Sequence, residues 1–274
     1  MSRIASFRRF LSASAVLGLV LASASGAEER PFLTLATTTS TQDSGLLDRL
    51  LPKFSAQSGV DVRVVAVGTG RALEIGRAGD ADILLVHDRR SEDAFVAEGH
   101  AAARRDVMYN DFLVVGPSAD PARAKGAEVA RAFAAIADAK APFVSRGDDS
   151  GTHKAERRFW AAAARDPLPG SGAWYFEAGG GMGATLRIAA EKQAYTLTDR
   201  ATWLALADAG GLVPLVEGDA RLRNNYGVMV VSAAKHPGVK AALAEQLASW
   251  LTSEAGRSAI AQFRVAGRQV FFIE

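Results

Sequence analysis

The 274-residue sequence predicts an α/β protein folded as a two-lobed clamp, with doubly wound sheets and a two-strand hinge. Three observations carry that prediction. Strand-like and helix-like segments alternate from residue 32 onward, as in sheets covered by helices on both faces. A strand that ends in a hydroxyl-rich turn at a helix entrance occurs twice, at 37–45 and at 145–152. Two dense apolar strands, near 111–117 and 226–232, sit where the chain would cross between lobes. The ends of the chain then form lobe I (28–112 and 229–274) and its middle forms lobe II (113–228).

Residues 1–27 read as a signal peptide. Arg3, Arg8 and Arg9 form a basic start, Phe10–Ala24 is apolar and small, and Ser25-Gly26-Ala27 supplies small residues before a cut. The apolar run is too short and too rich in alanine and serine for a membrane span, and no cysteine follows it to carry a lipid. The expectation is a soluble exported protein, Glu28 to Glu274, in the periplasm. The full chain has 32 Lys+Arg against 30 Asp+Glu. Without the three leader arginines, 29 basic residues face 30 acidic ones, a net charge of −1. Bulk charge thus gives no support to nucleic-acid binding, and any anion site must be built locally. The lack of cysteine removes disulfides and thiolate chemistry.

Taken in order, Phe32–Ala36 is an apolar extended run, and Leu46, Leu47, Leu50, Leu51 and Phe54 recur on one face of a helix. Val60–Val67 reads as a second strand, followed by the turn Gly68-Thr69-Gly70-Arg71 and a short helix, Ala72–Ile75. Ala81–Val86 is a third strand of the kind buried in a parallel sheet. Ser91–Gly99 is helical with Ser91 as its cap. Asp111–Pro117 is a strand closed by glycine and proline, and a polar loop follows over 118–126. An alanine-rich helix at 127–139 and a short strand at 141–145 lead to the second hydroxyl turn and a helix to about Arg165. Residues 167–183 read as a glycine-rich loop broken by Trp174-Tyr175-Phe176. Helices at 184–193 and 198–208 come next, the second capped by Thr198. Residues 212–217 and 226–232 are strands, and 239–252 is a helix with Leu243, Leu247 and Trp250 on one face. Helical or turn structure continues over 260–263, and 269–273 forms a final strand.

The two turns carry the chemistry. A strand ending at a helix entrance presents backbone N–H groups without intrahelical partners, at the positive end of the helix dipole. Capping needs one hydroxyl, whereas Thr37, Thr38, Thr39, Ser40 and Thr41 supply five in a row. The turn is therefore read as half of a small oxyanion site. Ser145-Arg146-Gly147-Asp148-Asp149-Ser150-Gly151-Thr152 supplies the other half and adds a guanidinium. A tetrahedral dianion has acceptor oxygens on every side, so donors approaching from opposed lobes surround it. Arg146 gives one positive charge and a planar fork of N–H groups. One charge among many neutral donors suits a buried anion. The competing reading of Arg146 is an ion pair with Asp148 or Asp149. Hydrogen phosphate could donate to one of those aspartates, whereas sulfate, molybdate and tungstate could not, which keeps phosphate in play. Thr69, in the Gly68–Arg71 turn, is a third source of a hydroxyl.

Catalytic readings find less support. His87, His100, His153 and His236 show no paired metal-ligand spacing. His153 is expected to hydrogen-bond locally. There is no Gly-x-Ser-x-Gly elbow. Gly179–Gly183 lacks the preceding strand and the acidic partner of a dinucleotide site, so it reads as a loop or a helix entrance.

Ala36–Leu46, Val67–Gly70, Ala81–His87 and Ser145–His153, in this order, resemble the tungstate-binding periplasmic proteins of tungstate ABC importers. These belong to the extracellular solute-binding class, and the resemblance covers essentially all of 28–274. It implies a two-lobed periplasmic binding protein clamp without catalytic residues, resident metal or cofactor. It implies tungstate as ligand, with molybdate as the near-isosteric competitor. The partners would be an inner-membrane ABC permease and its ATPase, with the receptor a monomer. Carried onto this chain, the anion contacts fall at Thr38, Thr39, Ser40, Thr69, Arg146, Ser150, Gly151 and Thr152. Tyr195–Arg200 is a further family-like segment that would close the cleft. The residues by themselves say small oxyanion. Capture of molybdate, sulfate or phosphate is the alternative, followed by an exported enzyme acting on a phosphate ester.

Overall fold

Both faces of the first strand are covered: Leu33 and Leu35 lie in one buried apolar cluster and Ala36 in another. A sheet enclosed on both sides produces that pattern. The computed structural model describes residues 30–206 and 210–273, so the signal-peptide reading of 1–27 lies outside the described residues. β1 (Phe32–Thr38) pairs in parallel with β2 (Asp61–Val67) and with β3 (Ile83–Val86). Across this sheet the order is β2-β1-β3, then β9 (Arg223–Val230), then β4 (Arg105–Pro117). α2 (Leu46–Ser58), α9 (Ala241–Thr252) and α10 (Glu254–Ala261) cover one face through Leu46, Leu50, Phe54, Leu247 and Ile260. α3 (Thr69–Ala78) and α4 (Arg89–Ala97) cover the other through Leu73 and Phe95.

β4 carries the chain into a second unit by changing partners along its length. Arg105–Asp111 pairs with β9, Phe112–Val115 with β7 (Thr196–Asp199), and Val114–Pro117 with β8 (Leu212–Val216). β5 (Phe143–Ser145) and β6 (Tyr175–Glu177) run parallel, and Val144 N–H donates to the Tyr195 carbonyl at 2.8 Å, joining them to β7. α5 (Val129–Asp138) and α6 (Gly151–Ala162) pack on one face around Phe133, Phe143 and Trp160. The Phe133 and Trp160 rings meet edge-on at 4.5 Å between centroids, a geometry worth about 1 kcal/mol beyond the area buried. α7 (Met182–Glu191) covers the other face with Met182 and Leu186. The result is the expected α/β clamp, but in place of two separate doubly wound sheets one curled seven-stranded sheet, β2-β1-β3-β9-β4-β7 with β8 also on β4, runs through both units by way of the long strand β4 and its partner β9.

Several local expectations are corrected. β4 starts at Arg105 rather than 111, because Arg105, Asp106 and Asn110 interrupt the apolar pattern although Asn110 is fully buried. The helix expected over 198–208 is instead β7 followed by α8 (Arg200–Ala205). Its cap is Asp199, whose carboxylate accepts the Thr202 N–H at 2.9 Å, and not Thr198. α4 is capped by Asp88, accepting the Ser91 N–H at 3.2 Å, and not by Ser91. Tyr175–Glu177 is a strand where a loop was expected, since Tyr175 is buried beside Phe143. The first hydroxyl turn is itself helical, forming α1 (Thr39–Asp43).

Candidate functional site

Four helices begin at one place. Thr38 caps α1 with extended backbone and accepts the Thr41 N–H at 3.3 Å, leaving the leading N–H groups at Thr39 and Ser40 without intrahelical partners. Gly68 precedes α3, whose first residue is Thr69. Ser150 caps α6 by accepting the His153 N–H at 3.2 Å, so Gly151 and Thr152 open that helix. Gly181 precedes α7. Contacts between the two units show how closely these ends approach. Gly70 N–H donates to the Asp149 carbonyl at 3.4 Å. A methyl group on Gly68 would lie 3.6 Å from Ser150 Cα, and one on Gly151 would lie 2.6 Å from the His87 ring. One on Gly181 would stand 3.9 Å from Thr39 Oγ1. Thr38, Thr39, Ser40, Thr69, Ser150, Gly151 and Thr152 therefore all sit at helix entrances that face one another across a single cleft.

Arg146 lies among them, 2% exposed. It pairs with Asp148, while Nε donates to the Gly180 carbonyl at 3.2 Å and Nη2 to Thr39 Oγ1 at 3.4 Å. None of these bonds uses Nη1. The second Asp148 oxygen accepts the Ser150 N–H at 3.2 Å. Asp149 turns outward to Lys154 at 2.9 Å, with its side chain 64% exposed and its backbone left-handed at φ 55°. Asp148 is thus the carboxylate that orients the guanidinium. The ion pair weighed in the sequence exists and leaves part of the fork free.

Thr69 Oγ1 and Thr152 Oγ1 are buried and have no hydrogen-bond partner among the described residues. A buried hydroxyl left unpaired costs about 1–3 kcal/mol, so two on facing helix entrances are donors available to a group that carries acceptor oxygens. Burial shifts the other titratable groups nearby toward their neutral forms. Burial lowers the His87 pKa to about 4, which keeps the ring neutral. Burial raises the pKa of Asp199 and of Asp43, with Arg146 opposing both. The charges of the Arg146–Asp148 pair oppose each other, and the helix N–H groups and hydroxyls around the pair are of the donor type that suits an anion. Among the described residues no group of three His, Asp or Glu is arranged to hold a metal ion. His153 accepts the Asp149 N–H through Nδ1 at 3.1 Å, the local bonding expected of it.

Two neighbours of the site, His87 and Asn224, carry no site prediction from the sequence, and a third, the α7 entrance, is read there as a loop or a helix entrance. His87, at the end of β3, reaches Ser40 and Asn224. Asn224 stands in the polar start of β9, where no motif flags it. The α7 entrance at Gly181 hides inside the glycine run, and only the helical spacing after it gives a signal.

The sequence matches the PBP superfamily domain over residues 22–255. A relative in Peptoclostridium acidaminophilum, tungstate-binding protein TupA, is 46% identical over 234 residues, covering 84% of this chain and 81% of the relative. The solved structure of the tungstate ABC transporter from Geobacter sulfurreducens aligns with a TM-score of 0.77 at 49% identity, over 85% of this chain and 98% of that one. Tungstate-binding protein TupA from Desulfovibrio alaskensis G20 aligns with a TM-score of 0.75 at 46% identity, over 88% and 98% of the two chains. The chain therefore belongs to the PBP superfamily and, within it, to the family of these tungstate-binding proteins.

Proposed function

We propose that this protein is a periplasmic receptor that captures tungstate and hands it to an ABC permease driven by an ATPase. It is a monomeric binding protein without a catalytic step. Thr38, Thr39, Ser40, Thr69, Arg146, Ser150, Gly151 and Thr152 hold the anion through hydroxyls, backbone N–H groups and the guanidinium. The carrying observation is the convergence of four helix entrances on Arg146 and on two buried hydroxyls that have no protein partner. Kinship with tungstate-binding proteins at 46% identity narrows oxyanion to tungstate, with molybdate as the competitor of equal charge and similar size. Lobe I comprises 28–112 and 229–274, lobe II 113–228. The pairing of Arg223–Val228 with β3 and β4 favours counting those residues with lobe I. Residues 1–27 direct export.

The arrangement of carboxylates favours a fully deprotonated anion over hydrogen phosphate. Each Asp148 oxygen already accepts a bond, from Arg146 and from the Ser150 N–H, and Asp149 turns to Lys154, so the carboxylates of this turn serve protein partners. Calorimetric titration of residues 28–274 with tungstate, molybdate, sulfate and phosphate tests the reading. We expect tight one-to-one binding of tungstate, weak binding of phosphate, and a loss of roughly 100-fold or more in Arg146→Ala, where charge-assisted hydrogen bonds disappear. No heat with any tetrahedral anion would overturn it.

A further inference from the structure

A directed hydrogen-bond chain runs from the first anion turn into both strands that connect the lobes. Asn110 and Asn224 face each other on β4 and β9. They lie one step before β4 exchanges β9 for β7, where Asp111 still pairs with Arg223 and Phe112 already pairs with Asp199. Both are buried, as are Ser40, His87 and Tyr226. Asn224 Nδ2 donates to Asn110 Oδ1 at 2.8 Å, and Asn110 Nδ2 donates to the Tyr226 hydroxyl at 3.3 Å. With the amides in that orientation, Asn224 Oδ1 faces His87 Nδ1 at 3.0 Å and accepts from its N–H. In a neutral imidazole with its proton on Nδ1, Nε2 is an acceptor, and the group beside it is Ser40 Oγ at 3.3 Å. Within the turn, Thr38 Oγ1 lies 2.6 Å from Thr41 Oγ1 and 3.1 Å from Ser40 Oγ, so these hydroxyls join the same network.

We propose that His87 is a positioning residue of the anion site: its Nε2 accepts a hydrogen bond from the Ser40 hydroxyl and, through Asn224 and Asn110, the ring ties the anion turn to both connecting strands. The inference rests on the receptor reading and adds to it. Ser40 then offers the anion its backbone N–H, with its hydroxyl committed to His87. Thr38 donates to Ser40 in the same network, which leaves Thr39 as the hydroxyl of that turn able to donate to the ligand. Any relative movement of β4 and β9 at Asn110 and Asn224 pulls on the ring that orients Ser40, so lobe closure and the shape of the turn are linked.

The test uses residues 28–274 and tungstate. His87→Asn keeps a donor near the Nδ1 position and removes the acceptor facing Ser40. His87→Gln keeps an acceptor near the Nε2 position and removes the donor to Asn224. Each should weaken tungstate binding more than tenfold while unfolding cooperatively without ligand. Ser40→Ala and Asn110→Ala, which alter residues that do not touch, supply a second measurement. Their effects on affinity should couple at least fivefold in a double-mutant cycle, whereas separated residues with no shared network add. If the unmodified protein binds tungstate and both His87 variants bind within twofold of it, or if the cycle is additive, the proposal is overturned. Failure of the unmodified protein to bind any tetrahedral anion would overturn the receptor reading first.

Discussion

Adding one methyl group at Gly151 should hold the clamp open. Its Cβ would stand 2.6 Å from His87 Cε1 and Nδ1, and 2.9 Å from the His87 carbonyl oxygen. Ordinary contacts begin near 3.4 Å, so something must yield by close to 1 Å. The ring cannot withdraw, since it is buried, bonded to Asn224 and packed 4.8 Å from Tyr226 between centroids. The carbonyl is backbone. Separation of the lobes is the remaining response. Overpacking of this kind costs about 1–3 kcal/mol, and charging it to the closed form alone weakens ligand binding by roughly 5- to 150-fold. The backbone of Gly151 has no positive φ, and alanine suits the start of a helix better than glycine does. The ligand-free melting temperature of Gly151→Ala should therefore match or exceed that of the parent. Calorimetric titration with tungstate and a ligand-free thermal melt read the two quantities separately. A dissociation constant within twofold of the parent would show that ligand-bound lobes never approach this closely, and the reasoning would fail.

Thr69→Val and Thr152→Val replace a hydroxyl that has no protein partner with a methyl of the same shape. Each should lower tungstate affinity about tenfold while holding or raising ligand-free stability, and a loss of stability without a loss of affinity would place the hydroxyls outside the site. Glu156 sits beneath the second turn, accepting from Trp160 Nε1 and the Tyr175 hydroxyl at 2.9 Å each, with burial pushing its pKa up to about 7. Below pH 4.5 the carboxyl is protonated folded or unfolded. As the pH climbs to about 7 only the unfolded chain releases the proton, so stability falls by on the order of 3 kcal/mol. Glu156→Gln should remove that slope in denaturant titrations at pH 4.5 and 7.5. Glu92, raised to about 7, and His87, lowered to about 4, are common to both proteins and cancel in the difference. Equal slopes would refute the assignment.

The sequence displayed the apolar strands and the hydroxyl turns because each is a local pattern: Ile83–Val86 is buried throughout, and Thr38–Thr41 is continuous. It concealed whatever depends on distant partners. Asn110 and Asn224 look like surface residues until β4 and β9 pair and bury them against each other. His87 looked like one of four scattered histidines, since its partners lie 47 and 137 residues away. Asp148 and Asp149 are equivalent in sequence. The left-handed backbone at Asp149 separates them, turning one side chain out to Lys154 and leaving the other on Arg146. Thr198 and Ser91 are good caps by type, but the adjacent Asp199 and the preceding Asp88 accept the N–H groups first.

Two separate devices follow for choosing among anions. The first acts on protonation: in the proposed site the backbone N–H groups and the guanidinium can only donate, so a bare ligand oxygen finds more partners there than a ligand O–H does. Hydrogen phosphate is disfavoured on that ground, while sulfate, molybdate and tungstate are treated alike. The second must act on size. Gly68, Gly70 and Gly151 let the two lobes meet backbone to backbone, at distances where a single Cβ intrudes. In the proposed site those contacts would set the separation of the closed lobes, so a dianion with long metal–oxygen bonds would span donors on both sides where one with short bonds would not. The glycines would then do for the radius of the ligand what the donor lining does for its charge state.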